Sequence, residues 1–443
     1  MTSLRLISPL KFLLAFSSAS FIVLLFFVTS NYNTTPPVQV DRSFNNEMRG
    51  NRSYTPGDFV KYIHPEPANQ SYCTFNYKFP EDLTYGTNDV DFGPELGKQS
   101  EYRIVYNVLL AKQAEGVPEV TYATHVSADF MYYLPELVRF WDGFISVTAF
   151  VPDLDVALVL EQLNQYCHCL PGMSRVSIHF AYHKKLTPSR KDVYFTRPAS
   201  CEVADSSKLA TYRHADDSIV YPINVCRNAA RTASLTERVV VSDIQLMPSE
   251  GLARKFLDMI DSYKLTDCQK RAYVLPIFEV ESSEEVPRTK QQLVDLVKEK
   301  KAVYFHKLVC THCQKFPGIE SWMRTHRSED IVKPFITARR EVPYHRWEPI
   351  YIGSKEEPFY NEKLSWEGLQ DKMLQMLEMC LLDYQFVILD GAFLVHWPGM
   401  KKKKDKEDEE WRAPFVKENA REYQKILKNL MKKYKPKPQC KAQ

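Results

Sequence analysis

The chain has 443 residues, of which 44% are hydrophobic and 26% charged, with 14 glycines and 27 prolines. That composition is globular and excludes a disordered or collagen-like chain, and the length leaves room for two or three average domains or one large α/β domain. The formal net charge is only +3, and residues 411–443 hold ten basic and two acidic side chains, so the rest is net negative, which excludes a nucleic-acid-binding stripe over the main body.

No charged residue occurs from Phe12 to Val40, and the apolar stretch Phe12–Val28 follows Arg5 and Lys11. A helix over that stretch is roughly 26 Å long, enough for a thin early-secretory membrane, and the basic side should stay cytoplasmic. This predicts a cytoplasmic tail over 1–11, a type II signal-anchor transmembrane helix over 12–30, a glycosylated stem over 31–72 and a luminal domain over 73–443. A cleaved signal peptide, with Val28 and Ser30 as its cleavage site, is the rival reading. The stem carries Pro36, Pro37, Pro56, Pro65 and Pro67 and the acceptor sequons of Asn33, Asn51 and Asn69. The ten cysteines, in an oxidising lumen, point to several disulfides of unreadable connectivity.

From Glu119 the pattern alternates. Strands are expected at Val120–Val126, Phe144–Val151, Val176–Tyr182, Val239–Ile244 and Ala272–Val280. Helices are expected at Ala128–Trp141, Val156–Tyr166, Asn224–Leu235, Gly251–Tyr263 and Thr289–Lys300. Such alternation predicts an α/β fold with a mostly parallel sheet covered by helices, its site at the carboxyl ends of strands. Further on come a helix near Leu369–Leu382, a strand at Phe386–Val395, a solvated charge run at Lys401–Glu410 and a basic amphipathic helix at Pro414–Tyr434. The cationic face of that last helix suits solvent, an anionic membrane or an acidic glycan.

The segment Val239-Val240-Val241-Ser242-Asp243-Ile244-Gln245 is an apolar strand ending in a carboxylate, followed by a turn with Pro248 and Gly251. A carboxylate there can hold a divalent cation and, through it, a diphosphate, or it can merely close the turn. At a crevice-facing strand end, Asp243 should contribute little to stability. Asn224, Arg227, Asn228 and Arg231 share one helix face by spacing, which suits a nucleotide or sugar carboxylate and equally an internally paired polar face. Glu367 and Asp371, near a helix start, are the candidates for a general base, with capping or ion pairing as the structural alternative. Cys310-Thr311-His312-Cys313 has half of a zinc site's spacing, but a disulfide reads better.

Together with Tyr221-Pro222-Ile223-Asn224, Trp347-Glu348-Pro349, Tyr360-Asn361-Glu362 and Phe393-Leu394-Val395-His396, this segment resembles glycosyltransferase family 49 over roughly 119–440. The resemblance implies a GT-A (Rossmann-like) fold and a single-pass type II Golgi membrane enzyme with a luminal catalytic domain. It also implies inverting transfer of a sugar, glucuronic acid or alternatively N-acetylglucosamine, from a UDP-sugar donor to a glycan or glycoprotein acceptor, assisted by Mn2+. Asp243, Asn224, Arg227 and Asn228 would bind the donor, and Asp243, Gln245 and His396 the metal. Gln245 stands where the family has a carboxylate and Asn361 where it commonly has Asp, so a weakened metal site or a non-catalytic glycan-binding paralogue is the further alternative. The oligomeric state is left open.

Overall fold

The computed structural model describes residues 55–76, 101–188, 196–204, 211, 219–265, 270–325, 331–401 and 407–442. The expected tail and anchor, residues 31–54 of the expected stem, and the sequons of Asn33 and Asn51 lie outside these. Among the described residues no helix is long and apolar enough to cross a membrane.

Residues 55–72, expected as stem, are packed. Helix α1 (Phe59–Ile63) buries Phe59 and Val60. The Gly57 N–H donates to the buried Glu136 carboxylate at 3.0 Å, and the Ala68 and Tyr72 N–H groups donate to the carbonyls of His168 and Cys167. The Cys73–Cys167 disulfide fastens the end of the segment, and Asn69 is exposed. One short apolar pair shows no periodicity, which is why the sequence reads as stem here.

The chain continues through β1 (Tyr102–Leu109), β2 (Val120–Ser127), α2 (Leu134–Phe140), β3 (Phe144–Phe150), α3 (Asp155–Cys169), β4 (Val176–His183), α4 (Ile223–Thr232) and β5 (Arg238–Val241). Next come β6 (Leu246–Pro248), α5 (Leu252–Ser262), β7 (Arg271–Leu275), β8 (Ile277–Val280), α6 (Lys290–Lys298) and β9 (Ala302–Tyr304). The last elements are α7 (Ile319–Arg324), β10 (Lys333–Ala338), β11 (Ile350–Gly353), α8 (Met373–Leu381), β12 (Gln385–Asp390), β13 (Leu394–His396) and α9 (Ala413–Lys433).

Nine strands form one sheet in the order β1-β4-β3-β2-β5-β11-β7-β12-β10, and four form a second, β6-β13-β8-β9. The block β4-β3-β2-β5 is parallel, and β2 and β3 are buried along their whole length, as strands covered on both faces must be. The sheet is mixed: β2, β3, β4, β5, β7 and β12 run the same way, as the mostly parallel expectation has it, while β1, β11 and β10 run against them.

Two segments that read as single strands are broken, and the breaks build the site. Pro276, which has no N–H to give a ladder, separates β7 in the large sheet from β8 in the small one. Gly391, at φ +80°, separates β12 from β13 in the same way. His396 therefore ends a strand of the small sheet, paired in register with Leu246 of β6 on one side and Glu279 of β8 on the other.

Helix α9 is part of the body. Tyr423 and Leu430 pack with Leu364, Leu374 and Leu377, and the Cys380–Cys440 disulfide ties the segment after α9 to α8. Two more disulfides, Cys169–Cys201 and Cys310–Cys313, bear out the expectation of several bridges; Cys226 is buried in α4, and Cys268 lies outside the described residues.

Candidate functional site

Asp243 lies just past the carboxyl end of β5, in a turn closed by the Leu246 N–H donating to its carbonyl at 3.1 Å. The buried Tyr122 hydroxyl lies 2.8 Å from the Leu246 carbonyl and 3.1 Å from that of Asp243, so a side chain of the neighbouring strand β2 fixes the turn. Asp243 Oδ1 lies 3.1 Å from Arg227 Nη2 and 3.2 Å from His125 Nε2, and Oδ2 lies 3.8 Å from Lys372 Nζ. His125 Nδ1 is in turn 2.8 Å from the Tyr221 hydroxyl. Helix α4, strand β2 and the loop before α8 thus converge on one carboxylate.

Burial works against ionisation of Asp243, but the charge of Lys372, the hydrogen bond with His125 and the charge of Arg227 outweigh it and hold the carboxyl well below the usual carboxylate range. Asp371 shows the same contest, burial against the charges of Arg227 and Lys372, and is also held low. Its carboxylate accepts from Arg227 Nη1, which also donates to Asn224 Oδ1 at 3.1 Å. Burial pulls the His125 imidazole down, with Asp243 opposing it.

The remaining expected residues divide. Asn224 gives its amide N–H groups to the carbonyls of Asn361 and Asp371 at 2.8 and 2.9 Å. Asn228 gives its own to the Tyr360 carbonyl and the Glu362 carboxylate, and Arg231 donates to the carbonyls of Lys355, Glu357 and Pro358. These three clamp the loop at 355–371 onto α4; only Arg227 of that face reaches Asp243. Glu367 is buried and accepts from the Tyr221 N–H at 2.9 Å, which makes it a strut of the same loop. Asp371 belongs to the charged cluster, but a carboxyl held low by an arginine is a poor proton acceptor.

His396 ends β13 with Nδ1 3.3 Å from the Gly399 carbonyl, and Nε2 is buried without a hydrogen-bond partner. Burial lowers its imidazole to about 3, with Lys401 adding to the effect. Nε2 suits a metal ligand. The rest of the expected Mn2+ set does not. Asp243 is its only carboxylate, and that charge is already met by Arg227 and Lys372. Gln245 directs Nε2 to the Tyr133 hydroxyl at 3.3 Å and brings no charge. A dication here would face cations with one shared carboxylate to offset them, so Asp243, Gln245 and His396 do not fit a resident Mn2+. Elsewhere among the described residues, Cys310, His312 and Cys313 are close enough to share an ion, but both cysteines are in a disulfide.

Sequence reasoning missed Lys372, Lys401, Glu348 and His125. Lys372 and Lys401 both interact electrostatically with Asp243. Burial raises the Glu348 carboxyl to about 6 against the pull of Lys372. Glu348 has a sequence signal, the Trp347-Glu348-Pro349 triplet, but that triplet carries family resemblance and no spacing that points to chemistry. The lysines sat beside expected residues, one next to Asp371 and one at the head of a charge run that reads as solvated.

Beta-1,4-glucuronyltransferase 1 of Bos taurus and of Homo sapiens are each 29% identical to this chain over 317 residues, covering 69% of it and 73% of theirs. Xylosyl- and glucuronyltransferase LARGE2 of Mus musculus is 24% identical over 286 residues, 63% of this chain; the match spans about a third, 34%, of that longer protein. A solved structure of GalNAc-T7 with UDP, GalNAc and Mn2+ overlays 70% of this chain and 48% of its own at 8% identity, with a TM-score of 0.36. The model of glycosyltransferase family 49, described as "Glycosyl-transferase for dystroglycan", matches residues 119–435, so a strand-end carboxylate ringed by basic side chains sits inside the matched region: the chain belongs to that family and is a glycosyltransferase.

Proposed function

We propose that the chain moves glucuronic acid from UDP-glucuronic acid to the terminus of a glycan, with inversion, on a GT-A-type arrangement of its sheet. The observation that carries this reading is Asp243 at the carboxyl end of β5, where open α/β sheets bind ligands, beside the basic side chains of Arg227 and Lys372. The choice of sugar is supported by the names of the relatives. Arg227 and Lys372 would orient the diphosphate, and Glu348 would take the acceptor hydroxyl's proton as that oxygen attacks the anomeric carbon. No step is routed through a metal, since the donor set does not fit one.

The proposal places the protein in the Golgi membrane as a single-pass type II protein with its catalytic domain in the lumen. Arg5 and Lys11 ahead of an apolar stretch, the exposed Asn69 sequon and four disulfides support it. The full chain should resist carbonate extraction and shift on glycosidase treatment; a mature N-terminus near Asn31 contradicts the anchor. A panel of UDP-sugars tests the donor. Turnover should be highest with UDP-glucuronic acid; preference for UDP-N-acetylglucosamine would overturn the sugar and keep the class.

A further inference from the structure

Resting on the reading of this site as a nucleotide-sugar site, we propose that Lys372 and Lys401 neutralise the donor's diphosphate, so that binding and transfer proceed without a divalent cation.

The two lysines come from different parts of the chain. Lys372 immediately precedes α8, its side chain is 16% exposed and its Nζ is 3.8 Å from Asp243 Oδ2. Lys401 follows the turn in which the Gly399 carbonyl meets His396 Nδ1. Its N–H donates to the fully buried Glu279 carboxylate at 3.2 Å, and its Nζ lies 5.0 Å from the centre of the Phe305 ring. Phe305 packs on the His396 ring at 5.4 Å. Lys401 therefore lies in the turn after β13, near His396, and the Glu279 carboxylate of β8 holds its N–H there.

The local charges do not cancel below the pH at which Glu348 ionises: Lys372 faces Glu348 as well as Asp243 and Asp371, and burial raises the Glu348 carboxyl to about 6. Arg227 is matched by Asp371 and shares Asp243. That leaves Lys372 and Lys401, which repel one another, around a carboxylate that Arg227 already contacts. Glu279 does not restore the balance: its oxygens accept the N–H groups of His306 and Lys401, and burial shifts its carboxyl toward the neutral form. Two like charges held together beside a shared carboxylate suit an anion of more than one charge, and an ionised diphosphate has that chemistry.

The same placement serves the reaction. When the acceptor oxygen bonds to the anomeric carbon, the bond from that carbon to the β-phosphate oxygen breaks, and its electron pair goes to the diphosphate. The acceptor proton passes to a carboxylate. Charge thus grows on the leaving diphosphate, where preorganised ammonium groups stabilise it as a cation would. Gln245 in place of a carboxylate agrees with this, because a site that neutralises its leaving group with lysines has no need of a second acidic ligand.

Calorimetry on the detergent-solubilised full chain tests the proposal with UDP, UMP and free glucuronic acid as probes, each in EDTA and in Mn2+. Wild type should bind UDP with affinities that agree within about twofold in the two buffers. Lys401→Gln should weaken UDP binding roughly tenfold or more while Lys401→Arg retains it, and UMP binding should change much less. Lys372→Gln should behave as Lys401→Gln does; thermal melts establish that each variant is folded, and if Lys372→Gln is not, the Lys401 pair carries the test. UDP binding by wild type only in Mn2+ overturns the proposal and leaves the nucleotide-sugar reading standing. So does a folded Lys401→Gln that binds UDP like wild type, or one that loses glucuronic acid and not UDP. No binding of UDP in either buffer overturns the nucleotide-sugar reading itself.

Discussion

Arg227 Nη2 and Asp243 Oδ1 meet at 3.1 Å, which joins the middle of α4 to the loop after β5. Arg227 is only 2% exposed, so Asp243 supports a buried cation as well as facing the crevice. The expectation that Asp243 is neutral for stability therefore does not hold. Asp243→Ala should destabilise the protein by about 1–3 kcal/mol, the range for a buried charge that loses one of two partners. Thermal unfolding of the two proteins checks this, and equal midpoints would contradict the pairing.

Replacing Gln245 with Asp adds the carboxylate that the expected metal set lacks. Gln245→Asp should acquire a Mn2+-dependent rate, while the wild-type rate stays flat across a Mn2+ titration. A wild-type rate that rises and saturates with Mn2+ as the variant's does would place a working metal site at Asp243 and His396 despite the amide.

Glu348 should set the acid limb of the pH profile. Its carboxyl is raised to about 6 by burial, so it is ionised and able to accept a proton only above that pH. The wild-type rate should fall as the pH drops through about 6. Glu348→Gln should lower kcat roughly a hundredfold or more with little change in the donor KM. Asp371→Asn, which disturbs Arg227, should instead raise the donor KM. A Glu348→Gln enzyme with unchanged kcat would remove Glu348 from the chemistry.

His179 gives a stability test away from the site. It is fully buried, its Nδ1 accepts from the Asn107 N–H at 2.9 Å, its Nε2 meets Ser146 Oγ at 3.0 Å, and burial lowers it to about 3. Between the ordinary histidine value near 6.5 and about 3, the unfolded chain binds the proton that the folded chain refuses. Stability is therefore full above that window and falls as the pH drops into it, by up to about 1.4 kcal/mol per pH unit for one such group. The urea midpoint should decrease from pH 7 to pH 5, and less steeply in His179→Gln. Parallel slopes would show that His179 titrates normally.

Strands β2 to β4 were legible because each is an apolar run followed by turn residues or an amphipathic helix. Strand β1 was not: Arg103 and Asn107 interrupt it, and its burial alternates in pairs. Strands β6 and β9 have three residues each, too few for a periodicity. The hand-over of two apolar runs between sheets at Pro276 and Gly391 could be suspected from those residues, but which sheet receives each half is a tertiary fact. At the site, Asp243 and Arg227 were legible as a strand-end carboxylate and a helix-face cation. Asn224, Asn228 and Glu367 are as polar, yet the carbonyls and N–H groups that engage them belong to loops far along the chain. The lysines stayed hidden for the opposite reason, since nothing local separates a charge that faces Asp243 from one that faces water.

The measurement that bears most directly on the central claim is UDP release from UDP-glucuronic acid by the full chain, wild type against Asp243→Asn, with an acceptor glycan present. The variant keeps the shape of the side chain and removes its charge. Wild type should release UDP in step with transfer, and Asp243→Asn should lose at least about a hundredfold in rate while remaining folded. Equal rates in the two proteins would contradict the placement of donor chemistry at the end of β5.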